Sequence, residues 1–150
     1  MKKILFFAVM VCPLFFSGCT NQQSNPIEGF WDLQSYEWTS PDTTVFFNRT
    51  DLDRQVKAFG KEYFTFIIQN SKNDSLDMVV TDGGGGTYQL KGDTLVETMQ
   101  LFPEKGAIGY SMDYIVKISG DTLIQKGPVN TDLPEGWEGW SGVEVYTRLE

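Results

Sequence analysis

The sequence contains no histidine among its 150 residues. That absence removes the commonest metal ligand and the usual general base at neutral pH. Cysteine is nearly as scarce: Cys12 and Cys19 are the only two, both near the start. Beyond residue 19 there is no thiol, so disulfides, thiol catalysis and cysteine-based metal sites are excluded from the remainder. Positive charge is also limited. Twelve Lys and Arg face 20 Asp and Glu, a net charge of −8, which argues against a nucleic-acid partner. Charged residues make up only 21% and aromatics 14%, a composition too apolar for a disordered chain.

The first stretch is an address rather than part of the fold. Lys2 and Lys3 precede an apolar run from Ile4 to Phe16, and Ser17-Gly18-Cys19 follows. The run is too short to span a bilayer, so it reads as a secretory signal. Its ending resembles a bacterial lipoprotein signal, which implies cleavage after residue 18 and lipid on Cys19. Loss of residues 1–18 removes Lys2, Lys3 and no acid, taking the charge from −8 to −10. An acidic domain is repelled by anionic surfaces, so lipid rather than charge would hold it at a membrane. Residues 19–26 form a short polar linker without acids. Surface-exported lipoproteins of the Bacteroidetes type tend to carry acids there. By that analogy the expected location is the outer membrane of the cell envelope, facing the periplasm.

From residue 27 the pattern is β. Glu28 to Trp38 has aromatics on both faces, and Lys61 to Gln69 is rich in aromatic and β-branched residues. Leu76 to Thr81 is a weaker strand. Thr87 to Lys91 and Thr94 to Leu101 flank the hairpin signal Gly92-Asp93, and Gly109 to Ile118 and Thr122 to Lys126 flank Ser119-Gly120-Asp121. Val143 to Leu149 alternates strictly and closes the chain. Thr50 to Gly60 departs from this pattern: Leu52, Val56 and Phe59 fall at helical spacing between a possible cap and Gly60. It predicts a short amphipathic helix between the first two strands. About eight short strands joined by hairpins predict an all-β, antiparallel, up-and-down barrel or a sandwich.

Gly29-Phe30-Trp31 on the first strand resembles the G-x-W signature of lipocalin-type barrels, and Arg148 stands on the last strand where that superfamily places an arginine across the tryptophan. The segments GTYQLKGDTL and YIVKISGDTLIQKG, with the terminal EVYTRL, resemble small lipocalin-like (calycin-type) lipoproteins of Bacteroidetes. The resemblance covers residues 27–150. It implies a lipocalin-like barrel with Trp31 and Arg148 as a structural pair at the closed end. Physics supports the pairing independently, because a barrel brings its first and last strands together and a guanidinium over an indole gains about 0.5–2 kcal/mol. If Trp31 points inward, alternation carries Leu33, Ser35 and Glu37 with it, and an inward Arg148 carries Tyr146 and Glu144. Such an interior favours a ligand with polar groups.

Several constellations invite functional readings. Gly83-Gly84-Gly85-Gly86 precedes a strand rather than a helix, so a phosphate cradle gives way to a flexible hairpin turn. The loop from Leu133 to Gly142 sets Trp137 and Trp140 among glycines and acids. Those rings either stack on a ligand or plug the barrel mouth. Glu97 shares a strand face with Leu95, Met99 and Leu101. If that face is inner, it needs a partner such as Arg148, Lys126 or a tyrosine hydroxyl; an outer face leaves it solvated. Tyr88, Tyr110 and Tyr114 are further lining candidates, with core packing as their other reading. The scattered aspartates form no calcium-loop spacing, and no metal or cofactor is expected. Gly109-Tyr110-Ser111-Met112-Asp113 lacks the last glycine of a nucleophile elbow, and no histidine could serve it. A two-carboxylate glycosidase survives on composition, but no spacing singles out such a pair, so no catalytic residues and no enzyme activity are expected.

Two functions of different class remain. One is a lipid-anchored barrel that binds a small, partly polar and partly hydrophobic ligand in its mouth. The other is an acidic periplasmic interaction module, an inhibitor or assembly factor, that binds a protein partner and no small ligand.

Overall fold

The computed structural model describes residues 25–50, 53–71, 78–103 and 105–149. The expected signal peptide, Cys19 and most of the linker lie outside the described residues. Strands β1 (Gly29–Thr39), β2 (Thr44–Asn48), β3 (Arg54–Phe59), β4 (Tyr63–Ser71) and β5 (Met78–Lys91) come first. Then follow β6 (Thr94–Leu101), a 3₁₀ turn (Lys105–Ala107), β7 (Ser111–Ser119), β8 (Thr122–Gly127) and β9 (Ser141–Arg148).

Every neighbouring pair is antiparallel, and β9 returns to pair with β1, so β1 and β3 to β9 close an eight-stranded barrel. The remaining strand, β2, lies beyond the eight. It folds back on the second half of β1, Thr39 opposite Thr44 and Ser35 opposite Asn48, while β3 takes the first half of the same edge. Closure leaves few free strand edges, the general hazard of an open sheet.

The two ends of the barrel differ. Two-residue turns at Gly92-Asp93 and Gly120-Asp121 sit at one end, with Gly92 at φ 65° and Gly120 at φ 57°. Glycine takes that left-handed conformation without a Cβ clash. Longer connections after β1, β4, β6 and β8 gather at the other end. Arg49, just after β2, and Arg54, at the start of β3, clasp β1 from the outside. Arg49 Nε and Arg54 Nε each lie 2.9 Å from a carboxylate oxygen of Asp32, which is thereby buried in an ion-paired state.

Inward positions follow strand alternation: Leu95, Glu97 and Met99 on β6, Met112, Tyr114 and Val116 on β7, Leu123 and Gln125 on β8, Glu144 and Tyr146 on β9. On β1 the alternation breaks. A bulge between Leu33 and Ser35 inserts one residue, so Trp31 and Leu33 are buried while Tyr36 and Trp38, not Ser35 and Glu37, face the cavity beyond it.

Two further expectations are corrected. Residues 54–59 form strand β3, and no α-helix joins the first strands among the described residues. Lys57 pairs with Trp31 on one edge and Phe66 on the other. Backbone bonds on two edges outweigh a helical pattern this short, since isolated short helices are marginal in water. Asp51 and Leu52 lie outside the described residues. Gly83–Gly86 is not a turn but the middle of β5, opposite Ile67 to Phe64. A Cβ on Gly85 would stand 2.5 Å from the Phe64 carbonyl oxygen, and one on Gly86 would stand 1.9 Å from that of Thr98. The run lets neighbouring backbones approach at a second bulge, between Gly85 and Gly86.

Candidate functional site

The tight-turn end of the barrel is solid. Trp31, Phe59, Phe64, Leu95, Val116 and Leu123 pack there, and Ile27 covers them from the segment before β1. The Trp31 indole donates to the Ile27 carbonyl at 2.8 Å. The Arg148 guanidinium lies over the Trp31 ring at 4.1 Å and donates to the carbonyls of Glu28 and Pro26, both at 2.7 Å. This is the structural pair expected from the sequence, and it closes the end where β1 begins and β9 finishes.

Above this plug the barrel is hollow. A cavity of about 530 Å³ runs to the long-connection end. Its floor is an ion pair. Lys57 Nζ lies 2.7 Å from Glu97 Oε1 and 2.9 Å from Oε2, with the Gln125 side-chain Oε1 at 3.4 Å. Only the contact with Oε2 has hydrogen-bond geometry, so Oε1 is held by charge and has no hydrogen bond among the described residues. The ammonium also stands 5.5 Å from the ring centroids of Phe59 and Phe64 and 5.7 Å from that of Tyr114. Burial pushes the Glu97 carboxyl up, Lys57 pulls it down, and Glu144 adds to the upward push.

The wall carries a second acid. Glu144 accepts from the Trp38 indole at 3.2 Å and from the Tyr146 hydroxyl at 2.7 Å, and Gln55 donates to Tyr146 at 3.4 Å. Burial and the neighbouring Glu144 hold the Tyr146 phenol well above its ordinary range, and burial with Glu97 does the same for Tyr114. Aromatic rings complete the mouth. Trp38 and Trp137 meet edge to face at 6.4 Å, Tyr36 stacks on Phe47 at 5.2 Å, and Phe66 meets Phe102 at 6.1 Å. Trp140 lines the rim beside Trp137.

Of the six lining candidates, Glu97, Tyr114, Trp137 and Trp140 line the cavity. Glu97 faces inward, but its partner is Lys57 rather than Arg148, Lys126 or a hydroxyl. Tyr88 lies in the plug instead, edge to face with Phe59 and donating to the Gly60 carbonyl at 2.5 Å. Tyr110 precedes β7 on an exposed turn outside the lining. Sequence reasoning missed Lys57, Gln125 and Trp38. Lys57 was hidden by the helical pattern, and Trp38 by the bulge. Among the described residues no group of three Asp, Glu, His or Cys could hold a metal ion.

No family model matches the chain, and no curated protein does. Among solved structures, a lipocalin-like protein from Bacteroides uniformis is similar at 17% identity and a TM-score of 0.48, covering 83% of this chain and 100% of that one. An uncharacterized protein from Bacteroides eggerthii is similar at 18% identity and a TM-score of 0.45, over 82% of this chain and 99% of its own. By its own closed eight-stranded meander and its Trp31–Arg148 stack, the chain has a lipocalin-like β-barrel fold.

Proposed function

We propose that this protein is a lipid-anchored binding module of the bacterial cell envelope, which holds a small, partly polar and partly hydrophobic molecule in the barrel mouth without transforming it. The observation that carries this reading is the cavity itself. At about 530 Å³ it falls within the ~300–1,000 Å³ common for small-molecule sites. It has aromatic walls and a few polar groups fixed by their own partners, the arrangement that orients a ligand.

Lipid on Cys19 would tether the domain by its plugged end. The chain enters at Pro26, whose carbonyl is bound by Arg148. The seven residues from Cys19 to Asn25 reach at most about 25 Å when extended. The mouth lies at the opposite end, away from the tether.

The test is intrinsic tryptophan fluorescence against fatty acids, bile-type amphiphiles, alkyl amines and oligosaccharides. A saturable change that is lost in Trp137→Ala supports the reading. A flat response across the panel overturns it and leaves the acidic protein-interaction role in front.

A further inference from the structure

The charges lining the cavity do not balance. Among the described residues they comprise one cation, Lys57, and three carboxylates, Asp82, Glu97 and Glu144. Lys57 is already engaged by both oxygens of Glu97 and by Gln125. Glu144 has only neutral donors, Trp38 and Tyr146, and among the described residues no ammonium or guanidinium forms an ion pair with it. Asp82 adds negative charge to the wall, with one oxygen accepting from the Gly83 amide at 2.7 Å.

A carboxylate has roughly four acceptor positions. The two donors on Glu144 leave part of that capacity unused beside a cavity walled by Trp38, Trp137, Trp140 and Tyr36. Aromatic faces attract cations through the negative charge over the ring, and the attraction strengthens where water is excluded. An anionic head would meet Glu144 and Asp82, and no cation of the described lining is free to receive it. Elsewhere on the lining, Met99, Met112 and Ile68 present apolar surface to the rest of a ligand.

We infer that the ligand is an organic cation, a protonated or quaternary amine on an apolar body, whose positive head sits against Glu144 among the mouth tryptophans. This rests on the binding role proposed above and specifies its chemistry. Glu144 is the residue that selects for charge. Lys57 and Glu97 form a neutral floor beneath the ligand rather than an anion site.

The test compares three probes with one tail and different heads: octylammonium, 1-octanol and octanoate, titrated calorimetrically below their aggregation limits. Octylammonium is expected to bind at least tenfold more tightly than octanol, with octanoate weakest. Glu144→Gln is expected to cost octylammonium at least tenfold and to leave octanol unchanged. Equal affinity for octanol and octylammonium, tighter octanoate, or a preference for the amine that survives Glu144→Gln would each overturn the inference while leaving a binding cavity intact. No binding of any of the three, together with a flat fluorescence panel, would overturn the binding role as well. The wild-type comparison of heads decides the question even if the variant fails to fold.

Discussion

Lys57 and Glu97, forty positions apart in sequence, meet inside the barrel with Nζ within 2.9 Å of both carboxylate oxygens, and both side chains are about 5% exposed. The pair joins β3 to β6, strands that are not neighbours in the sheet, and forms the floor on which the cavity rests. Removing one partner leaves an uncompensated buried charge, whereas removing both leaves an apolar floor. Lys57→Met and Glu97→Leu are therefore each expected to cost about 3–5 kcal/mol. The double substitution is expected to recover most of that loss. Urea unfolding of the four proteins measures the coupling; additive losses would show that the charges act independently.

Trp31 and Arg148 hold the plugged end. Trp31→Ala empties a fully buried site and is expected to cost about 3–5 kcal/mol. Arg148→Lys keeps the charge but cannot reach the carbonyls of Pro26 and Glu28 together. Its expected cost is about 1–2 kcal/mol. Trp137→Ala, at the half-buried mouth, should cost much less. Thermal melts rank the three, and a Trp137→Ala loss equal to that of Trp31→Ala would contradict the division into plug and mouth.

Of the β5 glycines, Gly86 leaves the least room for a side chain. A Cβ there would stand 1.9 Å from the Thr98 carbonyl oxygen and 2.9 Å from the Gln100 nitrogen. Gly86→Ala should abolish folding or lower the melting temperature severely, because backbone rather than a flexible side chain is in the way. Gly106→Ala, with no atom within 4 Å of the new methyl group, serves as the control and should melt as the wild type does.

The buried phenols predict an alkaline limit. Tyr114 and Tyr146 both have folded pKa values well above the ordinary 10.0. Above pH 10 the unfolded chain loses these protons while the folded chain keeps them, so stability is fully present below that pH and falls as pH rises toward the folded values. The expected slope is about 1.4 kcal/mol per pH unit for each phenol. Chemical denaturation at a series of alkaline pH values should show a shallower decline in Tyr146→Phe; an unchanged decline would mean that Tyr146 ionises freely in the fold.

Local chemistry in the sequence carried much of the fold. The turns at Gly92-Asp93 and Gly120-Asp121, the alternation of β9 and the Trp31–Arg148 pair each depend on residues whose turn or strand signal is short-range, or on a motif. What was illegible depended on distant partners. Gln55-Lys57-Phe59 reads as two polar residues and a ring until Glu97 arrives from β6 to neutralise Lys57. The bulge after Leu33 exchanges Ser35 and Glu37 for Tyr36 and Trp38 on the cavity side, and no turn residue announces it. The four glycines looked like a loop because the backbones crowding them belong to β4 and β6. Glu144 and Tyr146 were legible as interior by alternation from Arg148, whereas the neutral donors of Glu144, Trp38 and Tyr146, became visible only in three dimensions.

The central claim is that the mouth half of the barrel takes a small molecule while the plugged half does not respond. The chain has four tryptophans, and they divide between the two regions. Trp31 donates to Ile27 in the plug, while Trp38, Trp137 and Trp140 line the cavity. Indole N–H signals in a ¹H–¹⁵N NMR titration with octylammonium report on each separately. The account predicts saturable shifts for Trp38, Trp137 and Trp140, largest for the Trp38 N–H bonded to Glu144, with Trp31 unmoved. Four stationary signals at saturating probe, or a Trp31 shift as large as the others, would contradict it.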